Sequence, residues 1–296
     1  MGLAWGASPS MSFLELLILV VLSFTVINLS SAIGAQVNTI SDYELDVRNY
    51  RKRELVEALR AFGQGRLKEV LAAELVATLC LVIWFMLVGA KPVLLLLWVI
   101  GISLGCVYSA PPLRVKSRSW LAPVTLILVL AIFPLLFAYL TFTSSFEPVF
   151  LLILAGLAST VYAVIVPTEI RDYFEDQAMG IETMTVRLGL VRASLLGILL
   201  LSLGGVLIGT GFFIMFVSGQ FPVLGILVAA VAVADSVVVR KLLKLYALSV
   251  KYENSESQNP IAEEITGLSA NNPKWIMLVT QTYSILSVIL LISKFV

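Results

Sequence analysis

Long runs of apolar residues, separated by short polar stretches, repeat along almost the whole chain. A run of roughly 20 apolar residues is enough to cross the hydrocarbon core of a bilayer as an α-helix. The pattern therefore predicts an all-α protein, a polytopic membrane helix bundle with eight complete transmembrane helices, folded as a single domain over residues 1–296. The predicted spans cover about residues 11–38, 69–89, 92–110, 120–142, 148–168, 189–217, 222–239 and 275–295.

The composition is typical of a membrane protein and excludes several types of catalytic and metal site. Hydrophobic residues make up 59% of the 296 positions and charged residues 13%, with a mean hydropathy of +0.98, whereas soluble domains are roughly 45–50% apolar and 25% charged. The sequence has no histidine, which excludes histidine-based acid–base catalysis and histidine metal ligands and leaves hard cations held by oxygen. The dispersed basic residues and the net charge of +1 do not predict nucleic-acid binding.

The basic residues predict which side of the membrane each connection occupies. Alternate connections, those after the first, third, fifth and seventh spans, carry 18 of the 20 lysines and arginines, and only Lys91 and Lys294 fall on the other side. Cytoplasmic loops carry the excess of Lys and Arg in membrane proteins. The basic side is therefore predicted to be cytoplasmic, and eight spans then place both termini outside.

The connections on the predicted cytoplasmic side are also the long ones. Within residues 47–68, Leu55, Leu59 and Phe62 follow helical spacing, which predicts a short amphipathic helix that covers the inner face of the bundle. Residues 250–273 are polar and are predicted to form a mobile loop. The irregular and functional segments are thus expected on the cytoplasmic side, as cap loops and helices.

Acidic and amide side chains recur at helical spacing at the inner ends of two spans. Asn38, Asp42 and Asp46 are four residues apart, so each step drifts only about 40° around a helix and the three side chains lie along one stripe. Asp172 and Asp176 repeat the pattern at the end of another span. Two acidic helix ends in so hydrophobic a chain predict a positively charged ligand between them.

Oxygen ligands of this kind suit Mg²⁺, which prefers octahedral oxygen coordination and is usually bound by one or two carboxylates together with substrate phosphates. Two Mg²⁺ ions that bridge a diphosphate would neutralise the carboxylates and the leaving group together. The basic segment Y-S-A-P-P-L-R-V-K, at residues 108–116, is predicted to lie at the same side of the membrane.

Each of these features also has a plainer interpretation. The acidic stripes could be solvated helix ends without a ligand, and the basic segment could anchor a loop to anionic lipid. Glu169 precedes the second acidic stripe at helical spacing and could support the metal ligands from behind, although an ordinary solvated carboxylate is favoured. Asp235 lies inside the seventh run, where pairing with a neighbouring helix is favoured over an approach to the site.

Taken together, these motifs resemble those of the UbiA superfamily of intramembrane aromatic and lipid prenyltransferases. That family carries a first motif N-D-x-x-D-x-x-x-D, matched here by Asn38, Asp42 and Asp46, and a second motif D-x-x-x-D, matched by Asp172 and Asp176. Residues 108–116 are similar to the loop between the family's two motifs. The stretch D-Q-A-M-G-I-E-T-M-T-V-R-L-G, at residues 176–189, is similar to the sequence that follows the family's second motif.

The sequence departs from the family pattern in three places. Thr39 and Tyr43 occupy positions where the family often has Asp and Arg, and V-R-N-Y-R-K-R replaces the usual residues after the first motif. Family members usually have nine spans, so residues 1–10 are interpreted as the truncated end of a first helix. A complete upstream helix would place the amino terminus in the cytoplasm.

The resemblance implies a Mg²⁺-dependent transferase that moves an isoprenoid chain from a prenyl diphosphate, through an allylic carbocation, to a lipophilic acceptor at the cytoplasmic side of the bilayer. A quinone-type aromatic acid, a chlorophyll-like macrocycle and a glycerophosphate ether lipid all stay open as acceptors. By resemblance, the catalytic residues are Asp42, Asp46, Asp172 and Asp176, the substrate-binding residues are Asn38, Tyr108, Arg114 and Lys116, and the metal ligands are Asn38, Asp42, Asp46, Asp172 and Asp176.

Two other functions fit the same features. A cation-coupled transporter would also use paired acids on facing helices, although its polar sites typically lie near the bilayer midplane. A lipid-binding scaffold would bind a prenyl diphosphate without turning it over. Release of diphosphate that depends on Mg²⁺ would distinguish the transferase from both.

Overall fold

The computed structural model describes residues 11–47, 52–89, 91–217 and 224–293, and the side chains of residues 224–228 and 293 are not described. The fragment at residues 1–10, interpreted above as part of a truncated helix, lies outside the described residues, as does Lys294. Every regular element among the described residues is helical.

The helices follow one another with short connections. A 3₁₀ turn at Val115–Ser117 follows the fourth helix, and a π-helical stretch at Leu128–Ile132 joins the fifth helix to the sixth. The helices are α1 Phe13–Asp46, α2 Arg53–Phe62, α3 Gln64–Val88, α4 Pro92–Ser109, α5 Leu121–Ile127, α6 Phe133–Phe142, α7 Pro148–Ala178, α8 Met184–Leu188, α9 Leu190–Val217, α10 Leu224–Glu253, α11 Asn259–Ser269 and α12 Asn272–Ser293.

Seven helical segments among the described residues are long and apolar enough to cross a membrane, which confirms the polytopic all-α membrane bundle. The eighth predicted span, residues 222–239, begins outside the described residues and continues into α10. The described part of α10 carries Asp235, Arg240 and Lys241, so it is less apolar than the other spans. The count of eight spans therefore stays a prediction. The seven segments are Phe13–Asp46, Gln64–Val88, Pro92–Ser109, Leu121–Phe142, Pro148–Ala178, Leu190–Val217 and Asn259–Ile292.

The polar stretch at residues 250–273 is mostly helical, and only residues 254–258 and 270–271 connect helices, so the prediction of one long loop is wrong. α10 continues to Glu253, and α11 begins at Asn259 with a proline in its first turn, where the missing N–H of proline has no cost. Ile261 and Ile265 are buried and share one face of α11, because residues four apart lie on the same side of a helix. Their contacts with the rest of the bundle stabilise α11, although the polar composition of this stretch does not predict a helix.

A short helix, α2, occupies the segment predicted to form the amphipathic cap, although its buried face differs from the predicted one. Val56 and Leu59 are buried, whereas Leu55 and Phe62 are exposed. Two of these hydrophobic residues therefore pack against the protein, and the other two are exposed at its surface. A helix with this division is suited to lie along a membrane surface.

At the end of the bundle opposite α2, Lys91 caps a neighbouring helix. Its ammonium group donates hydrogen bonds to the carbonyl oxygens of Leu140 and Thr141, at 2.8 and 2.7 Å, in the last turn of α6. Carbonyl groups at a helix C-terminus have no partner within the helix, so the contact satisfies acceptors that would otherwise be costly to bury. Burial lowers the pKa of Lys91.

A backbone-to-backbone contact at two glycines joins α7 to α9. A Cβ atom on Gly204 would lie 2.8 Å from the carbonyl oxygen of Gly156, and one on Gly156 would lie 2.9 Å from the carbonyl oxygen of Gly204. Small residues at a crossing let two membrane helices approach backbone to backbone. This contact fixes α7, which carries the second acidic motif, against the rest of the bundle.

We expect Gly204→Ala to destabilise the protein, because the new methyl group would meet backbone atoms that cannot rotate away. Overpacking of this kind costs about 1–3 kcal/mol, and thermal unfolding of the purified protein in detergent should show a midpoint lowered by several degrees. Gly209→Ala is the matched control on the same helix, since a Cβ atom there meets nothing within 4 Å. Equal midpoints for the two variants would contradict the proposed contact.

Candidate functional site

One large cavity, of about 1160 Å³, opens between α1, α4, α5, α6 and α7. Its polar end lies near the ends of α1, α4 and α7, and its walls further from that end are mostly apolar, with Ser30 and Ser31 of α1 among the exceptions. All eight residues predicted from the sequence line this cavity, so the two acidic motifs and the basic segment lie around one space. They are Asn38, Asp42, Asp46, Tyr108, Arg114, Lys116, Asp172 and Asp176.

Asp42 is the centre of the polar end. It is buried, and its two carboxylate oxygens accept from different cations: Oδ1 from Arg114 Nη2 at 2.8 Å and Oδ2 from Lys116 Nζ. Hydrogen bonds between charged groups are roughly twice as strong as neutral ones. The first acidic motif is thereby joined to the basic segment that follows α4.

The basic segment reaches Asp42 through an unusual backbone turn. Arg114 has a φ of 39°, in the left-handed region, and the 3₁₀ turn follows it directly. A left-handed conformation costs an ordinary residue roughly 1–2 kcal/mol. The turn brings Arg114 and Lys116 to the same carboxylate, and the two ion pairs offset its conformational cost.

Asn38 lies one turn before Asp42 on α1 and shares its partner. The amide oxygen of Asn38 accepts from Lys116 Nζ at 3.0 Å and from the Ser109 hydroxyl at 2.6 Å. Ser109 is the last residue of α4, so this hydrogen bond sets the end of α4 level with Asn38. It is a positioning contact that the sequence pattern did not reveal.

Lys116 is a partly buried cation with several charged neighbours. Burial lowers its pKa, the hydrogen bond to Asp42 acts in the opposite direction, and the positive charges of Arg114 and Lys52 lower it further. Any additional negative charge that enters the cavity would stabilise the charged form of Lys116. A diphosphate would supply such charge.

Asp46 pairs with Lys52, a residue that lies outside all the sequence motifs. Lys52, which immediately precedes α2, donates to Asp46 Oδ1 at 2.6 Å and also lines the cavity. The signal in the sequence was weak, because Lys52 lies among four arginines that the excess of basic residues on that side already explains. The cap segment therefore contributes a cation to the site.

The second acidic motif is held by its own helix. Arg171 donates to Asp172 through Nε at 2.7 Å and Nη2 at 2.9 Å, a two-pronged contact between adjacent residues. Asp176 lies one turn further along α7 and lines the same cavity. The side chains of Arg171 and Asp172 are each more than a third exposed, so this pair contributes little to stability.

Glu169 was interpreted as a solvated carboxylate, and the structure shows that interpretation to be wrong. It lines the cavity and accepts hydrogen bonds from the hydroxyl groups of Thr185 at 2.8 Å and Tyr162 at 3.3 Å. Thr185 lies in α8, which Thr183 caps at its start. The T-x-T spacing after the second motif was the only signal for this contact.

Asp235 lies apart from the cavity, in contact with Tyr283 of α12. The tyrosine hydroxyl lies 3.3 Å from both carboxylate oxygens of the buried Asp235, and a Cβ atom on Gly205 of α9 would collide with the same carboxylate. The contact agrees with the predicted pairing of Asp235 with a neighbouring helix. Its role is to join α9, α10 and α12.

The oxygen atoms at the polar end are of the type that a hard divalent cation binds. Carboxylates and an amide oxygen from α1 line the same cavity as carboxylates from α7, and Mg²⁺ needs only one or two carboxylates when phosphates supply further oxygens. Among the described residues, no three acidic or cysteine side chains lie close enough together to hold a metal by themselves. The metal ligands predicted from the sequence therefore stay predictions.

Comparison with known proteins identifies relatives of this chain. The sequence model of the UbiA prenyltransferase family matches residues 1–244, while comparison with curated protein sequences gives no match. Among solved structures, a UbiA homologue from Archaeoglobus fulgidus bound to GPP and Mg²⁺ has a TM-score of 0.60 at 16% identity, over 94% of this chain and 92% of that chain.

The same homologue bound to DMAPP and Mg²⁺ has a TM-score of 0.61 at 17% identity, with the same coverage of both chains. A structure of digeranylgeranylglyceryl phosphate synthase has a TM-score of 0.61 at 14% identity, over 99% of this chain and 90% of that chain. At such low identity these likenesses show the fold, whereas the sequence model covers most of the chain. The resemblance found in the motifs is confirmed: this integral membrane protein belongs to the UbiA prenyltransferase family, and its enzyme class is prenyltransferase.

Proposed function

We propose that the protein transfers an isoprenoid chain from a prenyl diphosphate to a lipophilic acceptor inside the bilayer, in a reaction that depends on Mg²⁺. The observation that carries the proposal is the polarity of the cavity: carboxylates and cations line one end, and mostly apolar side chains line the rest. A prenyl diphosphate has the same division between head and tail. The A. fulgidus homologue binds GPP and DMAPP together with Mg²⁺.

The diphosphate would lie between the two acidic motifs, with Mg²⁺ held by Asn38, Asp42, Asp46, Asp172 and Asp176. When bound, Mg²⁺ supplies Lewis-acid neutralisation of the phosphate oxygens and of the carboxylates around them. We propose two ions, because each of the two acidic motifs contributes carboxylates to the same cavity.

Arg114 and Lys116 would change partners when the donor binds. In the structure both cations pair with Asp42, and a metal ion on that carboxylate would replace their charge. They would then be free to bind diphosphate oxygens within the same cavity. The substrate and the metal would therefore replace, rather than add to, the ion pairs at the polar end.

The chemical step needs charge stabilisation on the leaving group. As the bond between C1 of the prenyl chain and the diphosphate oxygen breaks, its electron pair moves to the diphosphate. Arg114, Lys116 and the Tyr108 hydroxyl would stabilise that charge, since donors fixed before the reaction lose little energy to reorganisation. The apolar walls exclude water from the allylic cation until an electron-rich atom of the acceptor attacks it.

The polar end is proposed to face the cytoplasm. Lys52, Arg114 and Lys116 lie there, whereas Lys91 caps a helix at the other end of the bundle. This distribution follows the rule that cytoplasmic segments carry the positive charge. The acceptor, which must also be lipophilic, would reach the cavity from the bilayer.

We expect Asp42→Ala and Asp172→Ala to lower Mg²⁺-dependent release of diphosphate from geranyl diphosphate by at least about 100-fold, because each removes a carboxylate proposed to hold the metal. Chelation with EDTA should abolish release by the unchanged protein. Glu44→Ala is the matched control, since Glu44 is an exposed acid on the same helix as Asp42.

Release that continues at the normal rate in both variants would refute the proposed site. A protein that carries ions across vesicles without releasing diphosphate would instead be a transporter. Mass spectra of the products made from a phenolic acid, a chlorophyll-like macrocycle and a glycerophosphate ether lipid would identify the acceptor class.

Lys116→Met should raise the KM for the donor by at least about tenfold and also lower kcat, because Lys116 would contact the diphosphate both before and after bond cleavage. Arg118→Met is the control from the same segment: the Arg118 side chain donates to the carbonyl oxygen of Leu113. Its kinetic constants should stay within about twofold of the unchanged enzyme. Similar losses in the two variants would assign Lys116 a structural role.

A further inference from the structure

One exposed face of α10 changes from apolar to basic along its length. Val233, Val237, Arg240, Lys244 and Lys251 follow one another at steps of four, three, four and seven residues, so all five lie along one stripe of the helix. All five are exposed. The two valines come first and the three basic residues follow, so the surroundings to which this stripe is suited change from apolar to polar at Arg240.

The opposite face of α10 packs into the bundle. Val238, Leu242 and Leu245 are buried, with at most 1% of their surfaces exposed, and belong to the hydrophobic core. The neighbours of α10 are α9, α11 and α12. Because protein covers this face, the stripe of valines and basic residues points to the surroundings of the bundle, where the exposed valines are suited to contact lipid tails.

Three cations lie close together where the stripe becomes basic. Residues three and four apart are neighbours on the surface of a helix, so Lys244 lies beside both Arg240 and Lys241. Lys244 is 3.6 Å from Glu264 of α11, but both side chains are at least half exposed, and such a pair contributes little. Within the described part of the chain, Arg240 and Lys241 have no ion pair. The group therefore carries an excess of positive charge.

The position of these cations on one face needs an explanation of its own. An excess of basic residues on the cytoplasmic side is general in membrane proteins, but that rule does not select a face of a helix. The headgroup layer on each side of a bilayer is about 5–7 Å thick. The four residues from Arg240 to Lys244 span about 6 Å, so both fit within this layer while Val233 and Val237 lie at the depth of the lipid tails.

We propose that Arg240, Lys241 and Lys244 bind the headgroup of an anionic phospholipid whose acyl chains lie along Val233 and Val237. The negative charge of the headgroup matches the cations, and the chains match the valines, so one molecule would satisfy both parts of the stripe. None of these residues is among those that line the cavity. The lipid site is therefore separate from the proposed reaction and does not depend on it.

Thermal unfolding in nanodiscs tests the proposal, because a ligand that binds only the folded protein raises the midpoint of unfolding. The full-length protein would be compared in phosphatidylcholine alone and in an equal mixture of phosphatidylcholine and phosphatidylglycerol. We expect the mixture to raise the midpoint by several degrees, and high salt to reduce this rise, because salt screens exposed charges. Native mass spectrometry should show phosphatidylglycerol retained on the protein.

The triple variant Arg240→Gln/Lys241→Gln/Lys244→Gln should lose at least half of the rise, because basic residues near the membrane surface supply the attraction to anionic lipid. It should also retain at least one phosphatidylglycerol molecule fewer in the mass spectrum. Its midpoint in phosphatidylcholine alone should stay close to that of the unchanged protein, since substitutions of exposed residues change stability little.

Arg53→Gln/Arg66→Gln/Lys68→Gln is the matched control, because it removes the same charge from exposed residues of α2 and α3. It should keep the full rise and the full number of retained lipids. Equal losses in the two triple variants, or no loss in either, would overturn the proposal. A rise of the midpoint in phosphatidylcholine nanodiscs on addition of soluble glycerophosphate, or of a glutamate-rich peptide, would also overturn it, in favour of a soluble anion or an acidic protein partner.

Discussion

The buried carboxylate of Asp42 organises the functional half of this protein. Removing a carboxylate from water without a partner is costly, and two cations from a distant segment compensate for it. That requirement explains why the chain after α4 turns at Arg114, in the left-handed region, and brings Arg114 and Lys116 to the same carboxylate. A metal ion and a diphosphate can take over the same charges, so the contacts that order the polar end without ligands are those that ligands would replace.

One cavity combines a charged end with a mostly apolar remainder. The polar end gathers charge from α1, the segment after α4, the cap before α2 and α7, and the apolar remainder continues into the hydrophobic core. Charges interact more strongly where water is scarce, so the same apolar walls that would hold a prenyl tail also strengthen the charge interactions at the head. The fold therefore combines recognition of the tail with stabilisation of the leaving group.

The sequence predicted much of this arrangement because its strongest patterns have local causes. The membrane spans followed from hydropathy, and the acidic stripes followed from four-residue spacing within single helices. α11 was missed because two buried isoleucines outweigh a polar composition only when a neighbouring helix covers them. Lys52 and Thr185 were missed for a similar reason: their partners, Asp46 and Glu169, are brought close by the tertiary fold. Distance along the chain gives no sign of either contact.

The glycine contact between α7 and α9 has a further consequence for how the two walls of the cavity behave. Of the eighteen most apolar residues of α7, 56% are buried, against 11% for α4 and 22% for α1. Backbone-to-backbone packing makes α7 a stationary wall, while α1 and α4 border the surrounding lipid along most of their length. The carboxylates of α7 therefore lie on the most buried of these three helices, whereas an apolar molecule that approaches through the bilayer would meet the more exposed α1 and α4 first.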